Sequence, residues 1–157
     1  MDIRAIEHHE LDELLSLYSH LHTQDEPRPD RYVLEAVWAE ALANQRIRYF
    51  GGFEQGRLLS SCNIAVIPNL TRGCRPYGVI ENVVTDAAYR RQGRGSALLA
   101  HALAFAWSHR CYKVMLFTGR QEEATLRFYE KAGFDRHSKQ AFIARPERPH
   151  QTARQER

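Results

Sequence analysis

Residues Tyr89-Arg-Arg-Gln-Gly-Arg-Gly-Ser96 follow an apolar run, Val79-Ile-Glu-Asn-Val-Val84, and precede a stretch of helical periodicity that begins at Ala97. Strand, glycine turn and helix start in that order build an anion site. The first amides of a helix have no partner within it, and the helix dipole leaves partial positive charge there. Phosphate oxygens fill that deficit. Gly93 and Gly95 let a ligand approach the backbone closely. Arg90, Arg91 and Arg94 bring positive charge to the same turn, which Gln92 and Ser96 complete. The dinucleotide fingerprint is excluded, because its third glycine falls on Leu98, and so is a P-loop, because no Gly-Lys-Ser/Thr follows. One carboxylate, Glu81, interrupts the apolar run. Burying it without a partner would be costly, so it is either ion-paired or committed to a substrate.

The segment Arg90-x-x-Gly93-x-Gly95 resembles the acyl-CoA pyrophosphate loop of the GNAT N-acetyltransferases, whose pattern is Gln/Arg-x-x-Gly-x-Gly/Ala. Downstream, Leu126-Arg-Phe-Tyr-Glu-Lys-Ala-Gly-Phe134 is similar to the Phe-Tyr-x-Lys-x-Gly-Phe that closes the cofactor-binding core of the same family. The resemblance implies an α/β (α+β) fold: a mixed, mostly antiparallel sheet with helices on both faces. Two central parallel strands, here residues 78–85 and 113–118, would splay apart to admit the pantetheine arm of acetyl-CoA. The implied cofactor-binding residues are Arg90, Arg91, Gln92, Gly93, Arg94, Gly95 and Ser96, with the Val83 and Val84 backbone along the arm.

Acetyl transfer to an amine has three demands: a base for the amine proton, a donor for the oxyanion, and a proton for the leaving thiolate. By the resemblance, Glu81 is the candidate base, directly or through water, and the Val83 N–H the candidate donor. Tyr129 is the candidate acid, against the alternative that it packs on Phe128 and only contacts the cofactor. In a regular strand Asn82 faces away from Glu81. A bulge of the kind common in the family would turn both toward the substrate. Asn82 is then a substrate contact or a structural hydrogen bond. One departure stands out: an Asn often found seven residues before the Tyr is Glu122 here. The runs Ile80-Glu-Asn-Val-Val84, Cys111-Tyr-Lys-Val-Met-Leu116 and Phe128-Tyr-Glu-Lys-Ala-Gly-Phe134 look most like glucosamine-6-phosphate N-acetyltransferases. That group has Glu-Asp in place of Glu81-Asn82.

The elements that must position these groups read in the order β-α-α-β-β-β-α-β-α-β. A first helix is predicted over 9–22 and a second after Asp30. A hairpin turns at Gly56, and strands cover 78–85 and 113–118. A helix over 121–132 closes at Gly133, and a last strand covers 139–145. With 157 residues the chain fits one domain, expected over 1–145, with a basic, proline-containing tail over 146–157 expected to be disordered. No 18-residue apolar run and no leader h-region are present, so the expectation is a soluble cytoplasmic protein with no membrane partner. Three widely spaced cysteines, Cys62, Cys74 and Cys111, argue against a disulfide framework or tetrahedral metal site and for burial as small apolar residues. No metal is expected. The net charge of +3, without interleaved aromatics, argues against nucleic acid.

The leading reading is an N-acetyltransferase acting on a small-molecule primary amine. The alternatives are a protein lysine or N-terminal acceptor and a non-catalytic acyl-CoA sensor. Arg72 and Arg75 could take an anionic acceptor group or simply be solvated. Tyr32, Trp38 and Tyr49 line the acceptor side or fill the core. Family analogy implies a homodimer.

Overall fold

The β-branched and aromatic runs of the chain become strands, and the leucine-spaced runs become helices. The computed structural model describes residues 1–21 and 25–146. Five strands, β1 (Asp2–Ala5), β2 (Ile47–Glu54), β3 (Arg57–Ile67), β4 (Tyr77–Thr85) and β5 (Val114–Leu116), lie in one sheet in sequence order. The pairs from β1 to β4 are antiparallel, and β4 pairs with β5 in parallel. The helices are α1 (Leu11–Tyr18), α2 (Arg31–Ala43), α3 (Arg94–Ser108) and α4 (Glu123–Lys131).

Alternation along β3 sends Cys62, Ile64 and Val66 into one core with Phe50, Ile80 and the α3 stripe Leu98, Leu99, Ala102 and Ala106. Across the sheet, Leu11, Leu14 and Leu17 of α1 and Trp38 of α2 close a second core over Ile6, Phe53, Leu58 and Val84. Helices therefore cover both faces. The start of α1 is tied down by a buried carboxylate. Glu10 accepts from the Arg4 guanidinium at 2.9 and 2.5 Å and from the Glu7 amide at 2.7 Å. The Arg4 hydrogen bonds hold the Glu10 carboxyl below the usual carboxylate range against the opposing effect of burial.

Ile80 and Val84 are four residues apart, so a regular strand would point both to one face. They belong to opposite cores. The cause is a bulge. Ser61 pairs with Val84 and Asn63 with Glu81, leaving one more residue on β4 than on β3 between those pairs. Asn82 carries the kink in the left-handed region, at φ 54°.

Four expectations need correction. The predicted first helix over 9–22 is a 3₁₀ turn at His8–Glu10 followed by α1, which stops at Tyr18 with Ser19 as its cap. The far end of the prediction falls in 22–24, outside the described residues. No last strand forms: residues 139–145 are irregular and exposed. Their two large apolar residues, Phe142 and Ile143, are adjacent rather than alternating, so neither face of a strand there could reach the core. As a result β5 is the edge of the sheet and not central. Finally, Cys62 and Cys111 are buried as expected but Cys74 is exposed, on a loop in which Arg72, Gly73 and Cys74 all have positive φ. The expected tail falls almost wholly in 147–157, outside the described residues.

Candidate active site

The parallel ladder between β4 and β5 is only three pairs long, from Gly78–Val114 to Ile80–Leu116. Beyond Ile80 the two strands part. At the parting, β4 bulges at Asn82 and runs on toward the arginine turn. A groove with a volume of about 930 Å³ opens there between Val83–Thr85, the turn with the start of α3, and α4. Such a concave site at the point where strands separate suits a small ligand.

The turn delivers what its composition promised. Gly93 is the N-cap of α3 at φ 79°, with no side-chain cap on the helix start. A non-glycine residue would be strained at that angle, and Arg91 beside it is also left-handed, at φ 60°. The uncapped amides of Gly95 and Ser96 border the groove. Gly95 is required for another reason: a Cβ there would sit 3.1 Å from Phe128 Cζ, so glycine lets α3 start against α4. An anionic ligand fits this cradle. Backbone amides, a dipole and Arg91 all converge on it.

The three arginines of the turn do different jobs. Arg94, only 11% exposed, is ion-paired with Glu54 at 2.6 Å and donates to Gln92 and the Tyr89 carbonyl. Its guanidinium also lies 5.1 Å from the Tyr89 ring centre. Arg90 donates to the carbonyls of Thr85 and His20. Both therefore fasten the turn, to the β2–β3 hairpin and to the end of α1. Arg91 is exposed, with no protein partner among the described residues. The sequence reading did not single out Arg120, Arg127 and Lys131, which also line the groove, Arg127 being paired with Glu123 at 3.0 Å. Arg127 and Lys131 stand four apart on α4, which puts them on one side of the helix, a signal available in the sequence.

Tyr129 stands on α4 and Glu81 on β4, one residue past the parallel ladder. Tyr129 packs tilted on Phe128 at 4.9 Å and edgewise on Phe134 at 6.4 Å, and lines the groove. Burial pushes its hydroxyl above the ordinary tyrosine range, Arg120 pulls it down, and the Glu81 carboxylate pushes it up again. Glu81 is exposed, so the desolvation cost feared for it is not incurred. It registers opposite Asn63, and Asn82 donates its amide to Asn63 Oδ1 at 2.9 Å. Directly paired residues share a face. The bulge thus turns Glu81, Asn82 and Asn63 to one side, which a regular strand would forbid.

Other candidates lie elsewhere. Arg72 and Arg75 sit on the loop before β4. Arg75 there stacks over Tyr112 at 6.0 Å. Trp38 is core, edge-on to Tyr49 at 5.0 Å with its indole donating to the His8 carbonyl, and Tyr32 is exposed on α2.

The family model described as "Acetyltransferase (GNAT) family" matches residues 11–134. The chain belongs to the GNAT acetyltransferases and is an N-acetyltransferase by class. It is 35% identical over 146 residues to "Glucosamine 6-phosphate N-acetyltransferase" of Trypanosoma brucei brucei, covering 89% of this chain and 92% of that one. Among solved structures, one from Agrobacterium tumefaciens str. C58, provisionally described as an acetyltransferase, shares 38% identity at a TM-score of 0.87. That match covers 93% of this chain and all of the other. A Trypanosoma brucei acetyltransferase shares 34% at 0.77, over 91% of this chain and 98% of that one. The likeness to glucosamine-6-phosphate N-acetyltransferases read from three short runs therefore extends over most of the chain.

Proposed function

We propose that the protein transfers an acetyl group from acetyl-CoA directly to the primary amine of a small molecule, and that glucosamine 6-phosphate is its acceptor. The observation that carries the mechanism is the single groove that joins an uncapped, arginine-flanked helix start to Tyr129 and the bulged strand of Glu81. The acceptor is supported by the name of the Trypanosoma relative and its near full-length match.

Acetyl-CoA would rest its pyrophosphate on the amides of Gly93–Ser96 with Arg91, and lay its pantetheine arm along Val83 and Val84. An arm lying beside an unpaired strand edge takes backbone hydrogen bonds as an added strand would. The amine must be neutral to attack, and Glu81, exposed on β4, accepts its proton directly or through water. The nitrogen then adds to the thioester carbon, whose oxygen takes the negative charge and is held by the Val83 amide. As the carbonyl re-forms and the C–S bond breaks, Tyr129 donates its proton to sulfur, and the nitrogen sheds its second proton to water, from which Tyr129 is reprotonated. Asn82 and Asn63, on the acceptor side of the bulge, are positioned for substrate contact.

A second copy of the chain would cover the open edge of β5 and the exposed Phe117, Phe142 and Ile143, giving a homodimer. Three free cysteines suit a reducing, cytoplasmic setting.

The test is thiol release and product mass with acetyl-CoA against a panel: glucosamine 6-phosphate, glucosamine, an aminoglycoside, a lysine peptide and a free N-terminal peptide. The reading expects glucosamine 6-phosphate to be preferred. Preference for a peptide would transfer the activity to a protein acceptor. Tight acetyl-CoA binding with no turnover on any amine would leave a sensor module.

A further inference from the structure

The β2–β3 hairpin takes no part in the reaction above, yet it holds the arginine turn at two points. Its closing residues, Glu54 and Arg57, pair directly across the ladder. Glu54 takes the Arg94 guanidinium at 2.6 Å. Arg57 donates to the Tyr89 hydroxyl at 3.3 Å and lies 5.8 Å from the centre of that ring. The turn needs such holding. Arg91 sits at φ 60°, where an L side chain is disfavoured, and persists there only if its surroundings over-determine it. The Arg94 guanidinium supplies that constraint. It donates to the Tyr89 carbonyl at 3.4 Å and to Gln92 Oε1, so its bonds straddle Arg91. The side chain is only 11% exposed and its Nε is closed off from solvent, so its charge is spent on the protein.

We infer that Glu54 is a positioning residue for the cofactor: its carboxylate aims Arg94 so that the guanidinium clasps the turn across Arg91 and holds the amides of Gly93–Ser96 in the shape that receives a pyrophosphate. This rests on the proposed binding of acetyl-CoA. It also reverses the sign that charge alone would give. Glu54 is an anion next to an anion site, so by Coulomb's law removing its charge should tighten acetyl-CoA. If the carboxylate clasps the turn, removing it should loosen acetyl-CoA, because Arg94 becomes a largely buried cation without its counter-charge and lets go of the turn.

The test is calorimetric titration of acetyl-CoA into the wild type, Glu54→Gln, Arg91→Gly and the double variant, each shown to be folded by its melting curve. Glycine takes the left-handed angle without strain, so the Arg91→Gly turn no longer needs the clasp. Glu54→Gln should raise Kd about tenfold, the cost of leaving one left-handed residue unsupported, with kcat at saturating acetyl-CoA within about twofold. In the Arg91→Gly background, itself weakened by the loss of a cation, Glu54→Gln should cost less than about twofold. Glu54→Asp keeps the charge but draws it back by one methylene, and should weaken binding in the same direction by less. Unchanged or tighter binding in Glu54→Gln, or an equal penalty in both backgrounds, would overturn the inference. A wild type that binds no acetyl-CoA would overturn it together with the cofactor reading. A wild type that binds acetyl-CoA but acetylates no amine would remove the proposed reaction alone, and the four affinities would still decide the role of Glu54.

Discussion

Removing the hydroxyl of Tyr129 separates its chemistry from its packing. The ring is wedged between Phe128 and Phe134, at 4.9 and 6.4 Å between centres, and the hydroxyl has no protein hydrogen bond among the described residues. Tyr129→Phe should therefore shift stability by no more than about 0.5 kcal/mol. Acetyl-CoA affinity should change little, because the groove keeps its ring wall. Loss of a general acid should lower kcat about 10²–10⁴-fold, equivalent to roughly 3–5.5 kcal/mol of barrier. The pH profile carries a sign. The acid works in its protonated form, and burial, assisted by Glu81 and opposed by Arg120, raises the tyrosine above its ordinary value of 10. Activity in the wild type should therefore persist past pH 10 before its alkaline limb falls, and that limb should flatten in the variant. Steady-state kinetics on an accepted amine, with melting and titration controls, would decide the matter. A near wild-type kcat in a folded Tyr129→Phe protein would mean that the thiolate takes its proton from water.

Gly93→Val should weaken acetyl-CoA binding by more than about tenfold in calorimetry. A β-branched residue is strained at φ 79° by about 1–2 kcal/mol and crowds the anion site; unchanged affinity in a folded protein would discredit the cradle. Glu10→Gln should cost about 1–3 kcal/mol at pH 7 in denaturant titrations. Because Arg4 depresses the folded-state value, this contribution is present above the unfolded carboxylate value of about 4.3 and is lost as pH falls through the lower folded one. An equal loss at pH 2 would contradict it. Ellman's reagent at pH 8 should label exposed Cys74 quickly and Cys62 only on unfolding, since burial pushes the Cys62 thiol up to about 12. Light scattering at micromolar concentration should return twice the 18.2 kDa chain mass, and a monomer would remove the partner from the β5 edge.

What the sequence made legible was local. The left-handed Gly93 before α3, the C′ position of Gly133 at φ 95° after α4, and the hairpin at Gly56 each follow from the needs of a single turn. The order of most elements followed from periodicity, and the mixed sheet with helices on both faces from the family resemblance. Long-range pairing was not legible. Nothing near Arg94 announces that its charge is neutralised by Glu54, forty residues away in sequence. Tyr18 reads as one more apolar-face residue of α1, with nothing to show that the fold buries its hydroxyl without a partner. The bulge itself was foreseen as a family habit, and the one-residue excess on β4 makes it a property of this chain. The missing last strand shows the reverse failure: an extended-looking segment has no ladder to join unless another element supplies one.

The central claim is that acyl-CoA lies across the start of α3 and along the parted edge of β4. A ¹⁵N-labelled sample titrated with acetyl-CoA tests it directly. The account predicts that the largest amide shifts fall on Val83, Gly93, Gly95 and Ser96, with a smaller effect at Tyr129. Shifts clustered instead at the separate hollow lined by Asp2, Gln55 and Arg57, or no saturable shifts at all, would contradict it.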